Sequence, residues 1–416
     1  MVRALRHRNY RLFFAGQSIS LIGTWMTRIA TSWLVYRLTG SALLLGLVGF
    51  AGQIPSFLLA PLAGVLIDRW NRHRLLVATQ VLAMLQSAAL AALALSGVIT
   101  IWHVLALSLF QGLINAFDMP ARQAFVVEMV DRREDLANAI ALNSSMVKAA
   151  RLLGPSIGGV VIAAVGEGWC FFGDAVSYLA VIASLLLMRV APRPRRAVAE
   201  TRVLHELRAG WVYVAGSPAI RSILLLLALV SLVGMPYTVL MPVFASTILH
   251  GGPHTLGFLM AATGVGALLG AVFLANRRSV LGLGKVIPAM AALFGFGLIG
   301  FSLSRWLWLS IPLLLATGLG FMVQMAASNT LLQTLVDDDK RGRVMSFYTM
   351  AFMGTAPFGS LVAGALASRI GAPHTLLLGG AACIVAALWF ASQLPGLRET
   401  VRPIYVQLGI LPEVEG

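Results

Sequence analysis

The sequence predicts an all-α polytopic membrane protein, with twelve transmembrane helices in two six-helix halves. Three observations carry that prediction. Of its 416 residues, 58% are hydrophobic and 11% charged, where soluble domains carry roughly 25% charged residues. The mean hydropathy is +0.85. The apolar residues also fall in long runs, each near the roughly 20 residues needed to cross a hydrocarbon core about 30 Å thick, with short polar turns between them.

In order, the spans run roughly 10–36, 43–67, 74–96, 101–118, 137–164, 169–190, 219–247, 255–275, 284–303, 306–329, 342–368 and 373–394. Each is long enough to cross with some tilt. An even count puts both termini on one side, and the distribution of basic residues says which. With the N-terminus inside, outer loops carry only Arg37, Arg305 and Arg369, spans carry Arg28, Lys148 and Arg151 away from their cytoplasmic ends, and the other 25 of 31 Lys and Arg face the cytoplasm. The net charge of +15 is therefore read as basic cytoplasmic loops. Nucleic acid is not an expected partner, because no soluble basic segment is long enough to fold alone. The basic N-terminus leads straight into a full span with no small-residue cleavage site, so it reads as a retained first helix. Cys170 and Cys383 sit in apolar runs and read as small hydrophobes, not a disulfide framework.

This gives four regions: an N-terminal six-helix half (1–190), a cytoplasmic linker (191–217), a C-terminal six-helix half (218–394) and a cytoplasmic tail (395–416). Leu204, Leu207, Trp211 and Val214 recur at helical spacing in the linker, which suits an amphipathic helix on the inner surface. A solvated connector remains the alternative. The tail, with three prolines, is expected to be poorly ordered. A weak internal repeat at an offset of 206 pairs Gly64 with Gly270, Arg72 with Arg278, Val130-Asp131 with Val336-Asp337, and Gly158 with Gly364. Asp68 pairs with Leu274, so the second copy lacks the acid.

The most distinctive turn is Gly64-Val-Leu-Ile-Asp68-Arg69-Trp-Asn-Arg72-His-Arg74, between the second and third spans. A tight cationic turn between two spans is a cytoplasmic loop. The pattern resembles the corresponding loop of the major facilitator superfamily of secondary transporters, which usually has Gly where Asn71 stands. The resemblance implies the major facilitator fold, with its two repeated halves. It also implies that Asp68, with Arg69, Arg72 and Arg74, gates the two halves against Asp337-Asp-Asp-Lys340-Arg-Gly-Arg343 at the start of the eleventh span. The alternative is a loop that only sets topology.

In the fifth span, Ala150-Arg-Leu-Leu-Gly154-Pro155-Ser-Ile-Gly158-Gly159 combines a helix-kinking proline with small residues one turn apart. It resembles the Gly-Pro-x-x-Gly-Gly motif of exporters in the superfamily, with Ala150 where the family has a leading Gly. Such faces are also common packing devices. A wider match covers Gly23-Thr-Trp-Met, Trp33-Leu-Val-Tyr-Arg-Leu-Thr-Gly-Ser, Asn115-Ala-Phe-Asp118-Met-Pro120-Ala-Arg122-Gln-Ala and Asp135-Leu-Ala-Asn-Ala. It is similar to the branch holding enterobactin-type siderophore exporters and macrolide efflux proteins.

Ionisable groups inside a membrane are costly and are functional candidates by default. Here they are Arg28 in the first span, Asp118 ending the fourth, Lys148 and Arg151 in the fifth, and Asp174 in the sixth. Asp174 and Asp118 are the proton-coupling candidates, with Asp68 and Glu128 behind them. Each has a plainer reading. Arg28 and Asp174 lie at similar depth and are expected to face each other. Asp118 and Arg122, four apart, suit a local pair. The family resemblance implies a cavity lined by spans 1, 4, 7 and 10. Their polar and aromatic residues are Trp25, Arg28, Trp33, Gln111, Asn115, Tyr237, Gln324 and Asn329. Large aromatics with sparse charge suit an amphipathic organic molecule.

No phosphate loop of the Gly-x-x-x-x-Gly-Lys-Ser/Thr type occurs, nor His-Glu-x-x-His. His250 and His254 are a weak ligand pair, so no metal site is expected, no cofactor, and no enzymatic activity. The reading is a proton-coupled exporter (an antiporter) of drug- or siderophore-like molecules in the bacterial inner membrane. It is expected to act as a monomer in contact with lipid, substrate and protons. A lipid or nutrient transporter of the same fold is the first alternative. A non-transporting receptor or membrane enzyme is the second.

Overall fold

A computed structural model describes residues 3–130, 132–189, 203–277, 279–337 and 340–407, apart from some side chains within them. Every regular element among these residues is helical. A short turn of helix, Arg3–Arg6, leads into α1 (Arg8–Thr39). Gly40, at φ 61°, ends α1 with its N–H on the Tyr36 carbonyl. This left-handed position is one that glycine takes without a Cβ penalty. The expected second span is two helices, α2 (Ala42–Ala51) and α3 (Ile54–Arg69). They part at Gly52-Gln53, where Gln53 N–H bonds three residues back to Phe50 and Pro55 then has no N–H to continue the ladder.

Four regular spans follow: α4 (Arg72–Leu95), α5 (Ile101–Val126), α6 (Leu136–Val165) and α7 (Glu167–Leu186). Of the expected linker, residues 190–202 lie outside the described residues, and 203–216 form α8 (Val203–Gly216). This helix is no bare connector. Val214 is buried, the Trp211 ring lies 6.1 Å from Phe347, and the Lys340 ammonium sits 4.8 Å over the Tyr213 ring.

The seventh span, Pro218–Ile248, is jointed. It runs as α9 (Pro218–Leu229), a π-turn at Val230–Gly234, α10 (Tyr237–Val243) and a second π-turn at Phe244–Ile248. Pro236 and Pro242 each delete an amide donor, and the ladder widens to bonds such as Met235 N–H to Val230. Next come α11 (Pro253–Ala275), α12 (Leu283–Leu303) and α13 (Leu307–Leu335). The eleventh span repeats the joint, with α14 (Arg341–Thr349), a π-turn at Met350–Gly354 and α15 (Ala356–Ile370).

The last helix, α16 (Ala372–Gln407), corrects the expectation of a poorly ordered tail. It continues through Pro395 and Pro403 because Leu394, Leu397, Val401 and Tyr405 recur at helical spacing and share a pocket wall with Leu331 and Leu335. Residues 408–416 lie outside the described residues.

By length and composition, eleven helical stretches among the described residues can cross a membrane. The remaining expected span is α1. Its 32 residues give it the length, but Arg8, Arg11, Gln17 and Arg28 dilute its apolar character.

The chain divides into two compact units. The first holds Met1–Glu200, Thr238–Gly264 and Ser360–Arg369; the second holds Thr201–Tyr237, Val265–Gly359 and Ile370–Gly416. In the first unit α1 packs on α6 and α7, α4 on α5 and α7, and α3 on α5. Tyr10, Phe13, Leu76, Phe125 and Met129 fill one end of that core, where the Tyr10 hydroxyl donates to the Ala139 carbonyl at 2.7 Å. In the second unit α12 packs between α13 and α16.

Two later stretches of sequence join the first unit through crossings of small residues. A Cβ on Gly257 would lie 2.9 Å from the Pro155 carbonyl and 3.2 Å from the Gly159 Cα. One on Gly364 would lie 2.8 Å from the Gly46 Cα. Only backbones without side chains approach this closely.

Candidate functional site

The cationic turn is held by its own residues. Trp70 closes α3 with its N–H on Leu66, and Asn71 caps α4 by accepting the Arg74 N–H at 3.0 Å. That capping bond gives Asn71 a use which the family's usual Gly could not supply through a side chain. The Arg72 guanidinium donates to Glu128 at 2.9 Å, tying the turn to the segment after α5. His73 bonds the Leu185 carbonyl at 2.8 Å, and the Trp70 ring stacks on Phe117. Arg74 is exposed. Gly64, Asp68 and Arg69 fall on α3, but the Asp68 and Arg69 side chains and the surroundings of Gly64 lie outside the described residues.

The glycine-proline stretch of α6 has two working faces. Gly154 and Gly158 press on α1. A Cβ on Gly154 would meet the Trp25 Cβ, and one on Gly158 would lie 2.7 Å from the Ile29 Cγ2. The other face, Pro155 and Gly159, crosses α11 at Gly257. Arg151 stands one turn before Gly154, on the side that meets α1. The Arg151 guanidinium lies 5.6 Å from the centre of the Trp25 ring, and the Arg28 guanidinium lies 5.0 Å from the same centre. Arg28 is exposed, while Trp25 and Arg151 are half-buried.

The expected contact between Arg28 and Asp174 does not form. Gly23, not Arg28, is the α1 residue beside Asp174; a Cβ there would lie 2.7 Å from the Asp174 Oδ1. Arg28 comes five residues later, which is about 140° around the helix and about 7.5 Å along it. Similar depth placed both groups at one level but left their directions open. Asp174 is buried in α7 and accepts the Ser87 hydroxyl from α4 at 2.8 Å. Its Oδ1 meets no hydrogen-bond donor among the described residues.

Asp118 was expected to end the fourth span. It lies inside α5, which continues through Pro120 to Val126. The local pair with Arg122 does form. Thr79 and Gln80 of α4 add bonds to Asp118 Oδ1 at 2.9 and 2.7 Å. The two membrane-embedded acids therefore differ: one is neutralised by a guanidinium, and the other faces hydroxyl groups, with Ser87 bonding it at 2.8 Å.

Of the remaining cavity candidates in the first unit, Trp33 is half-buried, and Gln111 donates to Asn115 at 3.1 Å. In the second unit, Tyr237 and Gln324 are buried, Tyr237 edge-on to Phe294. Asn329 accepts from Gln333 at 2.6 Å. The sequence reading missed Thr79, Gln80 and Ser87 as partners of the acids. Their signal was a polar face on α4, with Thr79 and Gln80 two turns before Gln86 and Ser87 in an otherwise apolar stretch. It also missed the two-pronged pair of Arg37 and Glu167, with bonds of 2.7 and 3.2 Å between α1 and α7.

The model of the transmembrane secretion effector family matches residues 2–403. The chain belongs to that family of major facilitator transporters. It is 26% identical to the staphyloferrin A transporter of Staphylococcus aureus, over 92% of this chain and 96% of that protein. It is 28% identical to the multidrug efflux pump Tap of Mycolicibacterium fortuitum, over 91% and 93% of the two chains. Proteins named as a macrolide efflux protein and as an enterobactin exporter match as well, in agreement with the branch read from the motifs. Among solved structures, a bacterial homologue of the human lysosomal transporter Spinster superposes with a TM-score of 0.70 at 15% identity, covering 92% of this chain and 96% of the other. That likeness supports the major facilitator fold. The chain is thus a multi-pass membrane transporter and not an enzyme.

Proposed function

We propose that this transporter exports amphipathic organic molecules across the bacterial inner membrane, exchanging them for protons by alternating access. In this reading both termini are cytoplasmic, the halves 1–190 and 218–394 rock as a monomer, and 191–217 joins them. The observation that carries it is the two-faced helix α6. Gly154 and Gly158 fix it to α1, while Gly159 meets Gly257 backbone to backbone. A crossing without interlocking side chains can part and re-form with little repacking. Gly46 against Gly364 is a second crossing of the same kind. Export is supported by relatives named as efflux pumps and exporters.

Trp25, Arg28, Trp33, Gln111, Asn115 and Asn329 then meet substrate or its water, and Tyr237 and Gln324 brace the second unit. Of the two coupling candidates, Asp174 suits proton exchange better than Asp118. It is buried, has no basic partner, and keeps one carboxylate oxygen without a donor among the described residues. Asp118 is committed to Arg122.

The test is efflux from loaded vesicles against a panel of compounds, with and without a proton gradient. Asp174→Asn should keep substrate binding and lose gradient-driven accumulation; full accumulation by this variant removes Asp174 from coupling. The loop acid has its own test. Asp68→Asn should abolish transport with little loss of folded protein, because a gate acid matters in one conformational state. Normal transport by Asp68→Asn would falsify the gate.

A further inference from the structure

We propose that Arg28, Trp25 and Arg151 bind an organic anion: a substrate with an apolar or aromatic body bearing a carboxylate or comparable oxyanion. This rests on the transporter reading and narrows its substrate class. The argument begins with the geometry. Two guanidinium groups from different helices lie 5.0 and 5.6 Å from the centre of one indole ring. Cation–π attraction to Trp25 orients both groups, yet it leaves their charge in place.

Charge accounting gives the second step. Asp118 is paired with Arg122, Glu128 with Arg72, Asp135 with His7 and Glu167 with Arg37. Asp174 is turned toward Ser87, with Gly23 against it. Among the described residues, no carboxylate pairs with Arg28 or Arg151. Two like charges gathered at one ring, inside a membrane-embedded helix pair, are costly without a counter-ion. Lipid tails cannot supply one. A passing anionic substrate can, and Trp25 offers its organic body a flat apolar face.

The site also has a built floor. Gly154 lets α6 close on α1 at Trp25, and Arg151 lies one turn before it. The ring is therefore fixed between the helices that carry the two cations. A planar guanidinium can bind a carboxylate through two parallel N–H bonds, so the pair suits one branched or two separate oxyanions.

The experiment uses the detergent-solubilised full chain and two xanthene dyes of similar shape and opposite charge, fluorescein (a dianion) and pyronin Y (a cation), read by fluorescence polarisation. The expected result is fluorescein binding at least about tenfold tighter than pyronin Y, with Arg28→Gln and Arg151→Gln each weakening fluorescein about tenfold or more. Lys148→Gln, an exposed cation one turn from Arg151, should leave the affinity unchanged. Equal or tighter binding of pyronin Y, binding of neither dye, or an equal loss in Lys148→Gln overturns the proposal. Thermal unfolding provides the structural control. The two arginine variants should unfold at the parent midpoint or above it, since a like-charge contact has been relieved. A lower midpoint with undiminished fluorescein binding makes the arginines braces between α1 and α6, and also overturns it. Dye binding requires no transport. Fluorescein binding without gradient-driven efflux leaves this site standing and removes the export reading; efflux with unchanged anion affinity in the arginine variants does the reverse.

Discussion

Asp118→Ala should cost the folded protein about 3–5 kcal/mol, the cost of leaving one partner of a buried pair charged and alone. Asp118 is 2% exposed and accepts from Thr79 and Gln80 as well as Arg122. Alanine removes every acceptor at once and leaves three donors aimed at an apolar gap. Arg122 suffers most, because it loses its counter-ion while its side chain is only 22% exposed. Unfolding of the purified protein in detergent, followed by intrinsic fluorescence, measures the loss. The companion experiment is Asp118→Ala combined with Arg122→Met. If the ion pair is the source of the cost, the double variant should lose less than the sum of the single ones. Strict additivity would show that the two residues act independently.

Gly158→Leu should destabilise by about 1–3 kcal/mol through overpacking. A Cβ at this position would already lie 2.7 Å from the Ile29 Cγ2 and 3.2 Å from the Met26 Cα. The obstacle includes α1 backbone, which cannot turn aside as a side-chain tip can. Gly159→Leu is the informative contrast, because that face meets Pro253 and Gly257 and not α1. Its effect should fall on transport as well as on the unfolding midpoint, since a Cβ there would lie 2.8 Å from the Pro253 carbonyl and 3.0 Å from the Gly257 Cα. A parental midpoint and parental transport in Gly158→Leu would remove the close contact from the account.

The apolar runs made all twelve spans legible as helices, because hydrocarbon thickness fixes their length whatever their neighbours are. Joints were harder. Pro236 and Pro242 were visible, but whether a proline ends a helix or only widens one turn depends on what packs beside it. Pro395 and Pro403 show the same ambiguity, resolved by the apolar stripe through Leu397 and Val401. In the site, spacing along one helix was enough to pair Asp118 with Arg122. Spacing could not pair Arg28 with Asp174, because depth fixes a level and leaves rotation free. The partners Thr79, Gln80 and Ser87 were hidden by their ordinariness. A hydroxyl or an amide in a span is remarkable only once the acid it serves is known to face it.

The two guanidinium groups at Trp25 also have an electrical consequence. An elementary charge moved through a full membrane potential changes energy by about 2.3 kcal/mol per 100 mV. With its site empty, a carrier holding two uncompensated positive charges feels that field. An inside-negative voltage favours whichever arrangement brings those charges nearer the cytoplasm. A bound dianion cancels them, and the same voltage then does almost no work on the loaded site. In the proposed exporter, the cell's resting potential would thus bias the vacant protein back toward the side where cargo is collected, and leave its outward passage to chemistry.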